Sequence, residues 1–211
     1  MNQFIEGFLL QASLIFALGA QNLFVLESGL KKQRNLLVAF ICSLCDATLI
    51  AVGVAGAASI FVRVPSLKIG FGILGVGFLA YYGIKKLLEG LSPHDGDHSK
   101  ATTASSLKQV IALTLTFSLL NPHVYLDTVI LIGGYSAKFP ELLSRAKFGL
   151  GAASFSVIWF FGLSMFAAYL SEFLNNRKAM RTIALVSGLI LIGLSWKLGR
   201  DVYTWLGTDV S

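Results

Sequence analysis

Residues 36–62 read LLVAFICSLCDATLIAVGVAGAASIFV, an apolar stretch of 27 residues whose single charged side chain is Asp46. A helix of about 20 apolar residues crosses the roughly 30 Å hydrocarbon core of a bilayer. The length of this stretch and its near absence of charge therefore predict a membrane-spanning helix. Asp46 lies near its middle, where an ionisable group is costly and is retained mostly for function.

Further apolar blocks occupy most of the remaining chain. Of the 211 residues, 55% are hydrophobic and 13% are charged, whereas a soluble domain has about 25% charged residues. We predict an all-α membrane protein of about six transmembrane helices, and we expect neither an enzyme nor a bound cofactor. The predicted spans are Phe4–Leu26, Leu36–Val62, Leu67–Leu87, Leu107–Tyr135, Phe148–Leu170 and Ile183–Tyr203.

The pattern of charges and cysteines argues against other classes of protein. The net charge of +6 does not indicate a nucleic-acid partner, because Lys and Arg cluster in short connectors, where they orient a chain in the bilayer. The segment before the first block lacks the basic residues of a signal peptide. Cys42 and Cys45 both lie in one apolar block, which is typical of small buried residues rather than of a disulfide framework.

The longest polar stretch, residues 89–106, divides a single transmembrane domain (1–211) into halves at 1–88 and 107–211. The connectors on the same side of the membrane as this loop hold 10 Lys or Arg residues in total (three, four and three). Those on the other side hold 7 (two, three and two). By the positive-inside rule, the loop lies in the cytoplasm and both termini lie outside.

The two halves resemble each other at fixed offsets. A shift of 100 residues aligns Gln21 with Asn121 and Glu27 with Asp127, and a shift of 116 aligns three glycines of the third block with three of the sixth. Because each half has an odd number of spans, two copies would have opposite orientations in the membrane. We therefore predict two inverted three-helix repeats, as in many secondary transporters.

The fourth block is interrupted by Asn-Pro-His-Val-Tyr-Leu-Asp-Thr at residues 121–128. Pro122 removes a backbone donor and disfavours helix at Asn121, so the helix should kink or break there. A break at membrane depth is tolerated where it lines a cavity, and the new helix N-terminus is suited to an anion. A kink held only by packing is the alternative, although His123 and Asp127 share one helix face.

The first block contains a similar interruption at Gln21 and Asn22, but there Gly19 is followed by Ala20 rather than by proline, which predicts a less sharp break. Glu27 could simply pair with Lys31 at i+4. In an inverted repeat, Glu27 would instead mark one of two alternating gates, with Asp127 towards the opposite face.

Other polar residues are less specific. Asp46 could pair with a Lys or with a helix terminus, but no basic residue lies within one turn of it in the sequence. Residues 94–98, His-Asp-Gly-Asp-His, have metal-ligand types, yet their glycine and the serines around them favour a solvated loop, so we expect no metal site. Lys197 and Asp201 are expected to pair at i, i+4 and to reach the membrane interface.

The stretch 121–128, with Gly-Ala-Gln-Asn-Leu-Phe-Val-Leu at 19–26 and Cys45-Asp46, resembles the lysine exporter family and, within it, the bacterial arginine exporters. The resemblance covers essentially the whole chain. It implies a multi-pass secondary exporter of L-arginine, L-lysine or both in the bacterial inner membrane. The expected partners are thus the basic amino acids, the lipid bilayer and protons, and a homo-oligomer is possible.

Exporting a monocation against an inside-negative potential costs about 2.3 kcal/mol per 100 mV. Exchange for one proton would move no net charge, and a carboxylate that binds either a proton or the substrate cation could perform it. The substrate carboxylate would bind the helix N-terminus after Pro122. The predicted binding residues are Gln21, Asn22, Asp46, Asn121, Pro122, His123, Tyr125 and Asp127, and the predicted gating residues are Glu27 and Thr128.

Two other functions remain possible at this point. Cys42 and Cys45 could suggest a membrane thiol–disulfide carrier, but carriers related to this fold place one redox cysteine in each repeat. Efflux of a neutral amino acid or a metal cation is the second alternative. Metal efflux would favour clustered His, Cys or Met in the spans, whereas acids such as Asp46 suit a basic amino acid. The sequence does not distinguish arginine from lysine or identify the coupling ion.

The predicted orientation can be tested by cysteine labelling. We expect a cysteine introduced as Ser99→Cys, in a Cys42→Ala/Cys45→Ala background, to react with an impermeant maleimide only after spheroplasts are permeabilised. The matched control, Ser211→Cys at the external C-terminus, should react in intact spheroplasts. Labelling of position 99 in intact spheroplasts would reverse the orientation.

Overall fold

A computed structural model describes residues 2–16, 19–57, 65–91, 106–121, 124–172 and 177–208. Within these ranges the regular structure is entirely helical, and two short segments, Gly53–Ala57 and Tyr125–Ile132, are wound as π-helices. The helices are α1 (Gln3–Ile15), α2 (Ala20–Leu30), α3 (Asn35–Val52), α4 (Gly53–Ala57), α5 (Pro65–Leu91), α6 (Leu107–Leu119), α7 (Tyr125–Ile132), α8 (Gly133–Ser136), α9 (Leu142–Leu170) and α10 (Arg177–Thr208).

Three helical segments of the described chain are long and apolar enough to cross a membrane: Asn35–Gly56, Leu142–Leu170 and Arg181–Gly207. The bent pair of α1 and α2 meets the same test as a fourth span. Helix α5 and the pair α6 and α7 occupy the two remaining predicted blocks. The all-α prediction is confirmed, whereas the arrangement of six spans in two inverted repeats stays a prediction.

The first apolar block forms two helices whose axes are bent by 81°. Helix α1 ends at Ile15, and α2 begins at Ala20 after Gly19, which has an extended backbone. Asn22 Nδ2 donates to the Ile15 carbonyl oxygen at 2.8 Å and so satisfies one of the acceptors that a helix end leaves unbonded. The expected interruption exists, but it lies before Gln21, and the expectation of a less sharp break was wrong.

The fourth block is interrupted where the proline predicts. Helix α6 ends at Leu119 and α7 begins at Tyr125, with Asn121 between them. Pro122 and His123 lie outside the described residues, as do residues 92–105, which include most of the predicted cytoplasmic loop and its candidate metal ligands. Both interrupted blocks therefore restart as a second helix within the same apolar stretch.

Close helix contacts position the broken helices. Helix α9 packs against α1, α2 and α3, and α5 packs along α10. A side chain at Gly7 would overlap the Phe148 carbonyl oxygen, and one at Gly151 would overlap the Phe4 carbonyl oxygen. Small residues of this kind let membrane helices approach closely. One buried cluster joins α5 and α10 to α2 and α6: Ala20, Leu23, Leu79, Tyr82, Phe117, Leu191, Leu198 and Val202.

The contact between α1 and α9 predicts a position-specific effect of alanine. Gly151→Ala should destabilise the protein by about 1–3 kcal/mol, because the added methyl group forces the two backbones apart. Gly162→Ala on the same helix meets nothing within 4 Å and should be neutral or slightly stabilising. Thermal unfolding in detergent measures both variants, and equal midpoints would contradict the close packing.

Candidate functional site

A polar cavity of ≈ 330 Å³ lies between the two broken helices. Its volume falls in the range of about 300–1,000 Å³ that is typical of small-molecule sites. The structure brings six of the predicted residues to its wall: Gln21, Asn22, Asp46, Asn121, Asp127 and Thr128. Two polar residues that the sequence analysis did not assign to a site, Gln11 and Lys197, also line it.

Asp46 forms the buried centre of one wall, with 4% of its surface exposed. Its carboxylate accepts hydrogen bonds from Ser156 Oγ at 3.0 Å and from Gln11 Nε2 at 3.4 Å. Gln11 Nε2 also donates to Ser156 Oγ at 2.8 Å. Among the described residues no Lys or Arg forms an ion pair with Asp46, so its carboxyl group is held by neutral donors from α1 and α9.

Gln21 and Asn22 fix the broken ends around the cavity. Gln21 Nε2 donates to Ser118 Oγ at 3.2 Å, which ties the start of α2 to the last turn of α6. Asn22 Oδ1 accepts from Trp159 Nε1 at 3.1 Å, while its amide nitrogen bonds the end of α1. Both side chains therefore have a structural role in addition to their position on the cavity wall.

The first residues of two helices face the same cavity. Gly19 and Ala20 line it at the start of α2, and Val124 lines it at the start of α7. Neither of the N-cap residues, Gly19 and Val124, caps its helix with a side-chain hydrogen bond. The unbonded N–H groups of a helix start attract anions. The cavity thus combines two carboxylates, suited to cations, with two helix N-termini, suited to a carboxylate.

Two of the remaining predicted residues lie away from the cavity. Tyr125 is buried but does not line it. Glu27 belongs to a partly buried ion-pair cluster, defined here as Glu27, Lys31, Lys86 and Glu89. Glu27 contacts Lys86 Nζ directly and lies 2.9 Å from Lys31 Nζ. The i+4 pair expected from the sequence is present, but Lys86, which is 5% exposed, adds a partner from α5.

Glu89 completes the cluster beyond the predicted end of the third span. It lies 3.0 Å from both Lys31 and Lys86. Burial alone would raise the pKa of Glu89, but the two ammonium groups outweigh it and hold the pKa below its usual value. The carboxylate is therefore charged at neutral pH, and the cluster balances two acids with two bases.

An aromatic plug, defined here as Phe24, Phe78, Tyr82 and Phe117, lies between the cavity and the ion-pair cluster. Its rings surround Phe117 at centroid distances of 4.6 Å to Phe24, 4.8 Å to Phe78 and 5.0 Å to Tyr82. Along α5, Leu79 borders the cavity, Tyr82 lies one turn further and Lys86 one turn beyond that. The plug and the cluster therefore follow the cavity along α5, towards the end of that helix at Leu91.

Comparison with known proteins identifies relatives over nearly the whole chain. The family model described as LysE type translocator matches residues 12–202. YggA of Aeromonas salmonicida, named as a candidate amino-acid transporter, is 39% identical over 197 residues, which cover 92% of this chain and 94% of its own. No solved structure matches this chain.

Two further relatives carry the name arginine exporter protein ArgO. The protein of Yersinia enterocolitica is 37% identical over 202 residues, which cover 94% of this chain and 96% of its own. The protein of Enterobacter sp. is 34% identical over 205 residues, which cover 95% of each chain.

The ion-pair cluster predicts that replacing Lys86 costs much more stability than replacing Lys32. Lys86→Met leaves the buried Glu27 without its closest cation and should cost about 3 kcal/mol of stability. Lys32→Met removes an exposed pair, 3.1 Å from Glu172, and should cost less than about 1 kcal/mol. Thermal unfolding in detergent measures both. A Glu27→Gln/Lys86→Met double variant should recover part of the loss, and similar losses for the two single variants would contradict the tertiary role of Lys86.

Proposed function

We propose that this chain, which belongs to the LysE-type translocator family, exports basic amino acids, namely L-arginine, L-lysine or both, across the bacterial inner membrane. The observation that carries the proposal is the cavity in which Asp46 and Asp127 lie together with the starts of α2 and α7. Relatives named as arginine exporters, 34–37% identical over most of the chain, support the choice of substrate.

Recognition of the substrate follows from the charges on the wall. Asp46 is oriented by Gln11 and Ser156, so its carboxylate is positioned to accept hydrogen bonds from a guanidinium or an ammonium group. Hydrogen bonds between ionised groups are about twice as strong as neutral ones. Asp127 offers a second carboxylate on α7, and the N–H groups at the helix starts suit the α-carboxylate of an amino acid.

Antiparallel contacts between corresponding spans support the inverted repeat. In the pair of first and fourth spans, Glu6 bonds Tyr135 at 3.2 Å near one end, and Phe24 stacks on Phe117 further along. As the residue number rises along the first span, its partner's number falls. Spans of opposite direction are what an inverted repeat requires of each matching pair.

The other two pairs of corresponding spans are also antiparallel. In the third and sixth spans, Gly72 lies against Val202 and Gly90 against Leu185. In the second and fifth spans, Asn35 Nδ2 donates to Ser164 Oγ at 3.0 Å and Asp46 accepts from Ser156. The broken ends of the first and fourth spans meet near the centre of this arrangement, where an inverted-repeat transporter places its substrate.

Exchange of the substrate for a proton is the proposed coupling. A basic amino acid carries one net positive charge, so one proton moving inward for each molecule exported leaves the charge on both sides unchanged. Asp46 and Asp127 would bind the proton when the substrate is absent. With one proton bound, one of these two carboxylates is neutral in the half-cycle without substrate, which lowers the cost of unpaired buried charge.

Glu27 and Thr128 are the proposed gating residues. With the 89–106 loop in the cytoplasm, the aromatic plug and the ion-pair cluster close the cavity on the cytoplasmic side. This conformation therefore corresponds to the outward-facing state of the cycle. Opening towards the cytoplasm would separate Glu27 on α2 from Lys86 on α5, while Thr128 on the cavity wall would move with α7.

Asp46→Asn and Asp127→Asn should each reduce arginine efflux by about 10-fold or more, because a charge-assisted hydrogen bond contributes about 1.5–3 kcal/mol. Cells loaded with an arginine- or lysine-containing dipeptide release each amino acid into the medium, where its rate is measured. Glu172→Gln, a change at an exposed acid, is the matched control and should export normally. Normal efflux from both aspartate variants, present at wild-type levels in the membrane, would refute their proposed role.

A further inference from the structure

Lys197 contributes a cation to the wall of the cavity. Helix α10 presents Leu194, Lys197 and Leu198 to it, a spacing that places all three on one helix face. The sequence predicts this lysine at the membrane interface, paired with Asp201. In the structure its exposed side chain lines the same cavity as Asp46 and Asp127.

The charged groups that line the cavity within the described chain are two carboxylates, Asp46 and Asp127, and the ammonium group of Lys197. A basic amino acid carries the opposite set, namely two cations, on its α-amino group and its side chain, and one carboxylate. We propose that Lys197 binds the α-carboxylate of the substrate and so selects amino acids over amines that lack it. This inference rests on the proposed function.

The charge balance explains why a lysine is useful beside the helix starts. A helix N-terminus carries the equivalent of about half a positive charge, whereas an ammonium group carries a full one. With a basic amino acid bound, the formal charges of Asp46, Asp127, Lys197 and the substrate sum to zero. Closing an unbalanced set of charges inside the membrane would be costly.

Within the described chain, no ion pair or hydrogen bond competes with the substrate for the ammonium group of Lys197. No hydrogen bond or ion pair joins its ammonium group to another described side chain, in contrast to Lys86, which is held by Glu27 and Glu89. An amine without a carboxylate would bring two positive charges towards Lys197 and offer it no partner. The lysine therefore attracts the substrate carboxylate and also repels the decarboxylated analogue, and both effects contribute to selectivity.

The test compares arginine with agmatine, the amine that remains when arginine loses its carboxylate. Wild type, Lys197→Gln and Lys197→Arg are reconstituted in proteoliposomes, and the uptake of each radiolabelled compound in exchange for internal arginine is measured. The wild type should prefer arginine, and Lys197→Gln should lose about 10-fold or more of its arginine transport, as expected for the loss of a charge-assisted contact. Its agmatine transport should be unchanged or higher, and Lys197→Arg should retain the preference.

Three results would overturn the assignment of Lys197: unchanged arginine transport in Lys197→Gln, an equal loss for both compounds, or a wild type that does not discriminate between them. The equal loss would indicate a structural role, which thermal unfolding of the variant would show independently. A wild type that transports neither compound would refute the proposed function itself, and the two failures are therefore distinguishable.

Discussion

The bilayer offers no water to an unpaired backbone group, and this constraint governs the rest of the structure. Every N–H and C=O within the hydrocarbon core needs a partner inside the protein, so a helix can stop there only beside a polar cavity. The breaks after Ile15 and after Leu119 meet this condition. Asn22 binds the end of α1, and Gln21 joins the start of α2 to α6. Polar residues at the site therefore also hold the broken helix ends in place.

The sequence was sufficient to predict the helical class, the break at the fourth block and much of the cavity wall. These features depend on local properties: the length of an apolar run, the missing N–H of a proline and the cost of a carboxylate in lipid. Asp46 and Asn121 stand out against apolar neighbours for that reason. The shift of 100 residues also matched Gln21 with Asn121 in the sequence, and both residues line the cavity.

What the sequence did not reveal depends on contacts between distant segments. Gln11 and Ser156 are unremarkable in their own helices, and only the packing of α1 on α9 brings them to Asp46. Lys86 lies near the end of its block, where a lysine is ordinarily expected to reach the interface. Its burial against Glu27 depends on how α5 lies on α2. The sharp bend before Ala20 was not predicted, because it depends on the extended backbone of Gly19 and on the hydrogen bond from Asn22 to the end of α1 rather than on a proline.

The ion-pair cluster has a consequence for how the protein responds to voltage. Its two acids and two bases cancel, so the group as a whole is electrically neutral. If the proposed opening separates α2 from α5 within the plane of the membrane, these charges stay at constant depth and carry no gating charge through the membrane field. Each uncompensated charge moved across the membrane would couple to it by about 2.3 kcal/mol per 100 mV. The cluster itself would then leave the proposed opening equilibrium independent of the membrane potential.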